Sequence, residues 1–283
     1  MTETSERGLA LSKKIAQIYS ECSQVKSIVA GGSVARGYAD GYSDVDIFVF
    51  CDDFPSEKER ASAVERVHGE GWKSHSDRIE QGLARDCYRT EDARIDVGLY
   101  KISSVEKVLV DVLEQYDITP YKQGFFGGLL DALPLYGEQQ IHTWQIRAAL
   151  YPDGLLQAMV NTHLHIDPLW IPEICALERG DLLYLYDAFC QAQKKVICIL
   201  LGLNRLYQPA EFKRVDRLIS RMQLAPFNLS CRLNEIFGME VRDAVRSLSA
   251  LVEETFDLVE RHLPAVDVGF ARLNFTTDTD TEE

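Results

Sequence analysis

The spacing of apolar residues changes character partway along this chain of 283 residues. Up to about position 117, short β-branched runs alternate with helical stripes; beyond about 137, apolar spacings of three and four take over. Val25 to Ala30 and Val45 to Phe50 read as strands, as do the stretches at Trp72, Asp86 to Tyr88 and Arg94 to Tyr100. Residues 7–22 set Leu9, Leu11, Ile15 and Ile18 on one side of a helix. Ser56 with Glu59 has the form of a capping box ahead of Ala61, Val64 and Val67, and Ser103 or Ser104 can cap a helix bearing Val105, Leu109 and Val112. The pattern predicts an α+β fold in which a small mixed β-sheet domain over 1–119 is followed by an all-helical domain over 137–265. A hinge over 120–136, rich in Gly, Pro and aromatic residues, separates them, and an acidic tail over 266–283 is expected to be disordered.

In the second half, helices are expected over 137–150, 153–165, 178–203, 210–222, 228–237 and 239–262, separated by Pro152, Pro168, Pro209, Pro226 and Gly238. The 178–203 stretch is the most informative. Leu182, Leu185, Phe189, Ala192, Val196, Ile199 and Leu203 form one apolar stripe, with Tyr184, Asp187, Gln191 and Lys194 on the opposite face. That polar face reads either as a solvated surface or as one wall of a cleft.

Composition narrows the class. With 30 basic against 44 acidic residues, the net charge of −14 argues against a general nucleic-acid binder, which carries a basic face. An acidic body suits a cationic small molecule and is also ordinary in soluble proteins. Seven cysteines, with no Cys-x-x-Cys pair, read as reduced thiols of a cytoplasmic protein with neither signal peptide nor membrane span. His163 and His165 lack a third ligand at zinc spacing.

The chemistry concentrates between the first two strands. Gly31 and Gly32 let the backbone approach a ligand, and Ser33 sets a hydroxyl beside amides that can face a phosphate. Asp44 and Asp46, one residue apart at the start of a strand, point to the same side. Two carboxylates so close need a cation between them, and hard oxygen ligands suit Mg2+, whose shell is completed by water and substrate phosphates.

These residues resemble the DNA polymerase beta-like nucleotidyltransferase superfamily, whose pattern of Gly-Ser, a short helix with a further Gly, and Asp-x-Asp on the next strand is matched by Gly32, Ser33, Gly37, Asp44 and Asp46. The resemblance expects a third carboxylate on a later strand, which Asp96 in Arg94 to Tyr100 supplies. It implies that Asp44, Asp46 and Asp96 are catalytic and hold Mg2+, and that Gly32, Ser33, Gly37 and Ser43 bind the nucleotide. The implied reaction is transfer of a nucleoside monophosphate, AMP from ATP, to a hydroxyl of a small molecule. In layout the chain is closest to the aminoglycoside and lincosamide nucleotidyltransferases, whose helical second halves complete the nucleotide and acceptor sites. That likeness makes an antibiotic the expected acceptor, held at a cleft between the halves by Glu178, Asp181 and Asp187, with Lys194 toward the triphosphate. Two alternatives stand beside it: a toxin-antitoxin type nucleotidyltransferase acting on a protein partner, and a catalytically silent nucleotide-binding regulator.

Overall fold

The computed structural model describes residues 1–75 and 79–276. The chain forms two compact units, the first made of Met1–Gln115 with Gly124–Leu150, the second of Tyr116–Gln123 with the chain from Tyr151 onward. Among the described residues no helix is long and apolar enough to cross a membrane.

The first unit runs α1 (Glu3–Tyr19), β1 (Val25–Ala30), α2 (Gly32–Ala35), β2 (Val45–Cys51), α3 (Glu57–Arg66), β3 (Glu70–His75), β4 (Leu83–Arg89), β5 (Arg94–Lys101) and α4 (Ile102–Leu113). After α5 (Pro120–Asp131), which starts in the second unit and ends in the first, come β6 (Leu133–Tyr136) and α6 (Glu138–Ala149). The six strands form one mixed sheet in the order β3-β4-β5-β2-β1-β6, in which only β2 and β5 are parallel neighbours.

Period-two alternation divides the sheet into two faces. Val45, Ile47, Val49, Ile95, Val97, Leu99, Ala84 and Tyr88 join Ile15, Ala16 and Tyr19 of α1 and Ala63 and Val64 of α3 in one core. The expected capping box on α3 is present, with Ser56 accepting from the Glu59 amide and Glu59 accepting from that of Ser56. On the other face Phe50 packs edge-on to Trp144, ring centroids 5.0 Å apart, with Tyr100 and Phe125 alongside. The Trp144 indole donates to Glu106, 2.6 Å away.

Four expectations meet a different local structure. The 120–136 stretch read as hinge is α5 followed by β6, which pairs with β1 at the sheet edge, where Pro134 is tolerated. α4 begins directly from Lys101, ahead of Ser103 and Ser104. The long 178–203 helix is two elements, because Gly180 adopts φ 74° and closes the first of them. Within the stretch read as a disordered tail, 269–276 is helical: Ala271 and Phe275 are buried and Arg272 pairs with Glu253, Asp257 and Glu260. The rest of that stretch, 277–283, lies outside the described residues.

The second unit comprises α7 (Asp153–His163), α8 (Trp170–Arg179), α9 (Leu182–Leu203), α10 (Val215–Ile219), α11 (Leu229–Glu235), α12 (Val241–His262) and α13 (Gly269–Thr276). Around α9, the stripe from Leu185 to Leu203 is buried, while Leu182 at its first turn is 47% exposed.

Candidate functional site

The first turn after β1 is built around its neighbour strand. The Gly31 amide donates to the Asp46 carbonyl at 2.9 Å, which ties the turn to β2. Gly32 has φ +58°, and a Cβ there would lie 1.9 Å from Asp46 Oδ2, so the position excludes any side chain on both counts. Gly37, at φ +78°, ends the short α2 helix, and its carbonyl accepts from the Thr2 amide. Just beyond α2, Arg36 donates through Nε to Asp131 at the end of α5, 2.7 Å away. Gly32→Ala is therefore expected to cost about 1–2 kcal/mol from backbone strain alone and to weaken divalent-cation affinity about tenfold by displacing Asp46. Thermal unfolding and calorimetric titration with Mg2+ check the two effects separately.

Asp46 and Asp96 stand directly opposite each other in the parallel β2/β5 pair, and Asp44 precedes Asp46 by two residues. One carboxylate oxygen from each of the three lies within 4.8 Å of the others. Burial, followed by the charges of Asp44 and Asp96, pushes the Asp46 carboxyl up to about 6. Asp96 is buried too, which alone would raise it. The Cys87 thiol facing it and the hydrogen bond from Arg85, together with the charges of Arg85 and Arg94, outweigh that and hold it below the usual carboxylate range. Arg85 Nη2 is 2.9 Å and Arg94 Nη2 3.5 Å from Asp96 Oδ2, whereas Asp96 Oδ1 is buried with no hydrogen-bond partner. An unsatisfied buried carboxylate oxygen among three converging acids fits a divalent cation.

The other expected residues are placed as follows. Ser33 sits in the first turn of α2. The Ser43 hydroxyl is engaged in a turn with Asp40, donating to Asp40 Oδ1 and accepting from the Asp40 amide, both at 3.0 Å. Glu178 lies in the last turn of α8, Asp181 immediately precedes α9, and Asp187 and Lys194 are exposed on α9, all in the second unit. Asp187 accepts from Gln191 at 2.6 Å. Arg85, Cys87 and Arg94 are not singled out by the sequence as site residues. The alternation of Arg85 and Arg89 with Ala84, Asp86 and Tyr88 marks a strand with one polar face but not the strand it pairs with.

Residues 12–126 match the family model described as nucleotidyltransferase domain. Among solved structures, a nucleotidyltransferase-like protein from Exiguobacterium sibiricum is similar at 10% identity, with a TM-score of 0.41 over 89% of this chain and 78% of that one. No curated protein sequence matches.

Proposed function

Because residues 12–126 match the family model described as nucleotidyltransferase domain, we propose that the chain transfers AMP from ATP to a hydroxyl of a small molecule and releases pyrophosphate. The observation that carries this reading is the acid triad itself, Asp44, Asp46 and Asp96, with ligand atoms within 4.8 Å and one of them buried and unsatisfied. Mg2+ held by these carboxylates would neutralise charge on the triphosphate and on the leaving pyrophosphate.

The remaining work falls to the chain's own groups. The Gly32-Ser33 turn would bind the outer phosphates through backbone amides and the Ser33 hydroxyl. The acceptor oxygen would form its bond to the α-phosphorus as the bond to the β-phosphate oxygen breaks. Asp96 would orient the attacking hydroxyl. Because Arg85 and Arg94 favour its ionised form, the departing proton would pass over Asp96 to water rather than rest there. Phe48, Phe50 and Tyr100 pack against one another further along β2 and β5 on the same face of the sheet.

The test is mass spectrometry of small-molecule pools incubated with the protein, Mg2+ and each nucleoside triphosphate in turn. Aminoglycosides and lincosamides form the first arm of the pool. The expected outcome is a nucleoside monophosphate mass gain on a small molecule that requires Mg2+ and disappears on its chelation. Gain confined to protein acceptors would overturn the small-molecule reading, and binding of nucleotide without any turnover would overturn transfer altogether.

A further inference from the structure

The sheet face that carries the acid triad continues sideways onto β5, β4 and β3, and there its side chains are cationic. Residues paired directly across strands project to the same face. Lys73, Cys87, Asp96 and Asp46 therefore form one row across the sheet, His75, Arg85, Gly98 and Phe48 a second, and Arg89 with Arg94 a third. Lys73, His75, Arg85, Arg89 and Arg94 are all exposed. Glu70, opposite Arg89, is the acid paired into this strip beyond the triad. The side chains of Arg85 and Arg94 are 52% and 53% exposed while touching Asp96. Each guanidinium carries five donors, and among the described residues Asp96 is the only ion-pair partner of either.

Charges on an edge strand guard against strand addition, which would account for Lys73 and His75 on β3. It does not account for Arg85, Arg89 and Arg94, because β4 and β5 are interior strands. Nor is a cluster of cations background in a chain of net charge −14. The strip spans two strand spacings by four residues, about 10 by 13 Å. That suits one small anion-bearing molecule and falls far short of the roughly 600–1,000 Å² covered by a single nucleic-acid-binding module.

We propose that this strip receives the acceptor, and that the acceptor bears a phosphate group close to its reactive hydroxyl. The inference rests on the transfer reading above. In sheet order the Gly32-Ser33 turn, which follows β1, and the strip, on β5, β4 and β3, lie on opposite sides of Asp46. A triphosphate held at the turn leaves the strip for the other reactant, and paired guanidiniums recognise phosphate through charge-assisted, bidentate hydrogen bonds.

The experiment titrates the full-length protein calorimetrically with glycerol 3-phosphate and ribose 5-phosphate, and with glycerol and ribose as neutral parents. Each is run with and without Mg2+ and a non-hydrolysable ATP analogue. An aminoglycoside and a short single-stranded RNA complete the set. The expected result is binding of the phosphate-bearing compounds but not of their parents, weakened about tenfold by Arg89→Gln or Lys73→Gln, with the affinity for the ATP analogue unchanged. Transfer of label from α-labelled ATP should follow the same preference. Equal binding of neutral parents, preference for the aminoglycoside or for RNA, or a loss of analogue affinity in either variant would each overturn the proposal. Failure of Mg2+ and analogue to bind, with phosphate binding intact, would instead sink the transfer reading and the acceptor role with it.

Discussion

Asp46→Asn is expected to lower the rate of nucleotidyl transfer about a thousandfold or more, as loss of several kcal/mol of charge stabilisation requires, and at the same time to make the metal-free protein more stable at neutral pH. The two effects have one cause. Asp46 is partly buried beside Asp44 and Asp96, and its carboxyl is pushed up to about 6. A folded-state value above the unfolded one means that the folded chain binds the extra proton. The resulting stability is present at low pH and is lost as pH rises from about 4 to about 6. An asparagine cannot ionise, so above that window the variant escapes a cost of about 1–3 kcal/mol. Thermal unfolding without metal at pH 5 and pH 7.5 checks this: the variant's advantage should grow with pH. Added Mg2+ should stabilise the wild type and leave the variant unmoved. Wild-type transfer activity in the variant, or a stability difference independent of pH, would count against the placement of a cation at these carboxylates.

The second large effect lies on the opposite face of the sheet. Arg60 on α3 donates to Asp86 on β4 at 2.9 Å, and both side chains are almost wholly enclosed. Burial pushes the Asp86 carboxyl up despite the guanidinium beside it. Arg60→Ala leaves that carboxyl buried and uncompensated, so the first unit is expected to lose roughly 3–5 kcal/mol. Hydrogen exchange of the β4 amides in increasing urea reads the loss locally. The double substitution Arg60→Met with Asp86→Leu should recover most of it, since the penalty belongs to the stranded charge and not to the missing bond. A double variant as unstable as the single would show that the pair contributes through its geometry.

How much of this was legible in the sequence follows the reach of each interaction. β1, β2 and β5 announce themselves through dense β-branched runs, and α3 through a capping box complete within four residues. The stripe of α9 is equally local. β6 was hidden because Leu133 to Tyr136 contains a proline and follows three glycines in α5, a composition that reads as a linker unless its pairing with β1 is known. The break at Gly180 was masked because apolar residues keep phase on either side of it. At the site, the two acids on β2 and the turn before them are close in sequence, and Asp96 was reachable through family likeness. The arginines around it were not, since only the register of β4 against β5 brings Cys87 opposite Asp96 and turns Arg85 toward it.

The pairing of β6 with β1 also governs how the molecule can be assembled and inherited. Ile28 meets Tyr136, so during synthesis β1 waits as an open edge until more than a hundred further residues have been made, and closure of so long a loop is slow. The chain then crosses between the two units three times, after Gln115, after Gln123 and after Leu150. No single cut or fusion point separates the units cleanly. The helical unit therefore cannot be exchanged as a cassette at one junction.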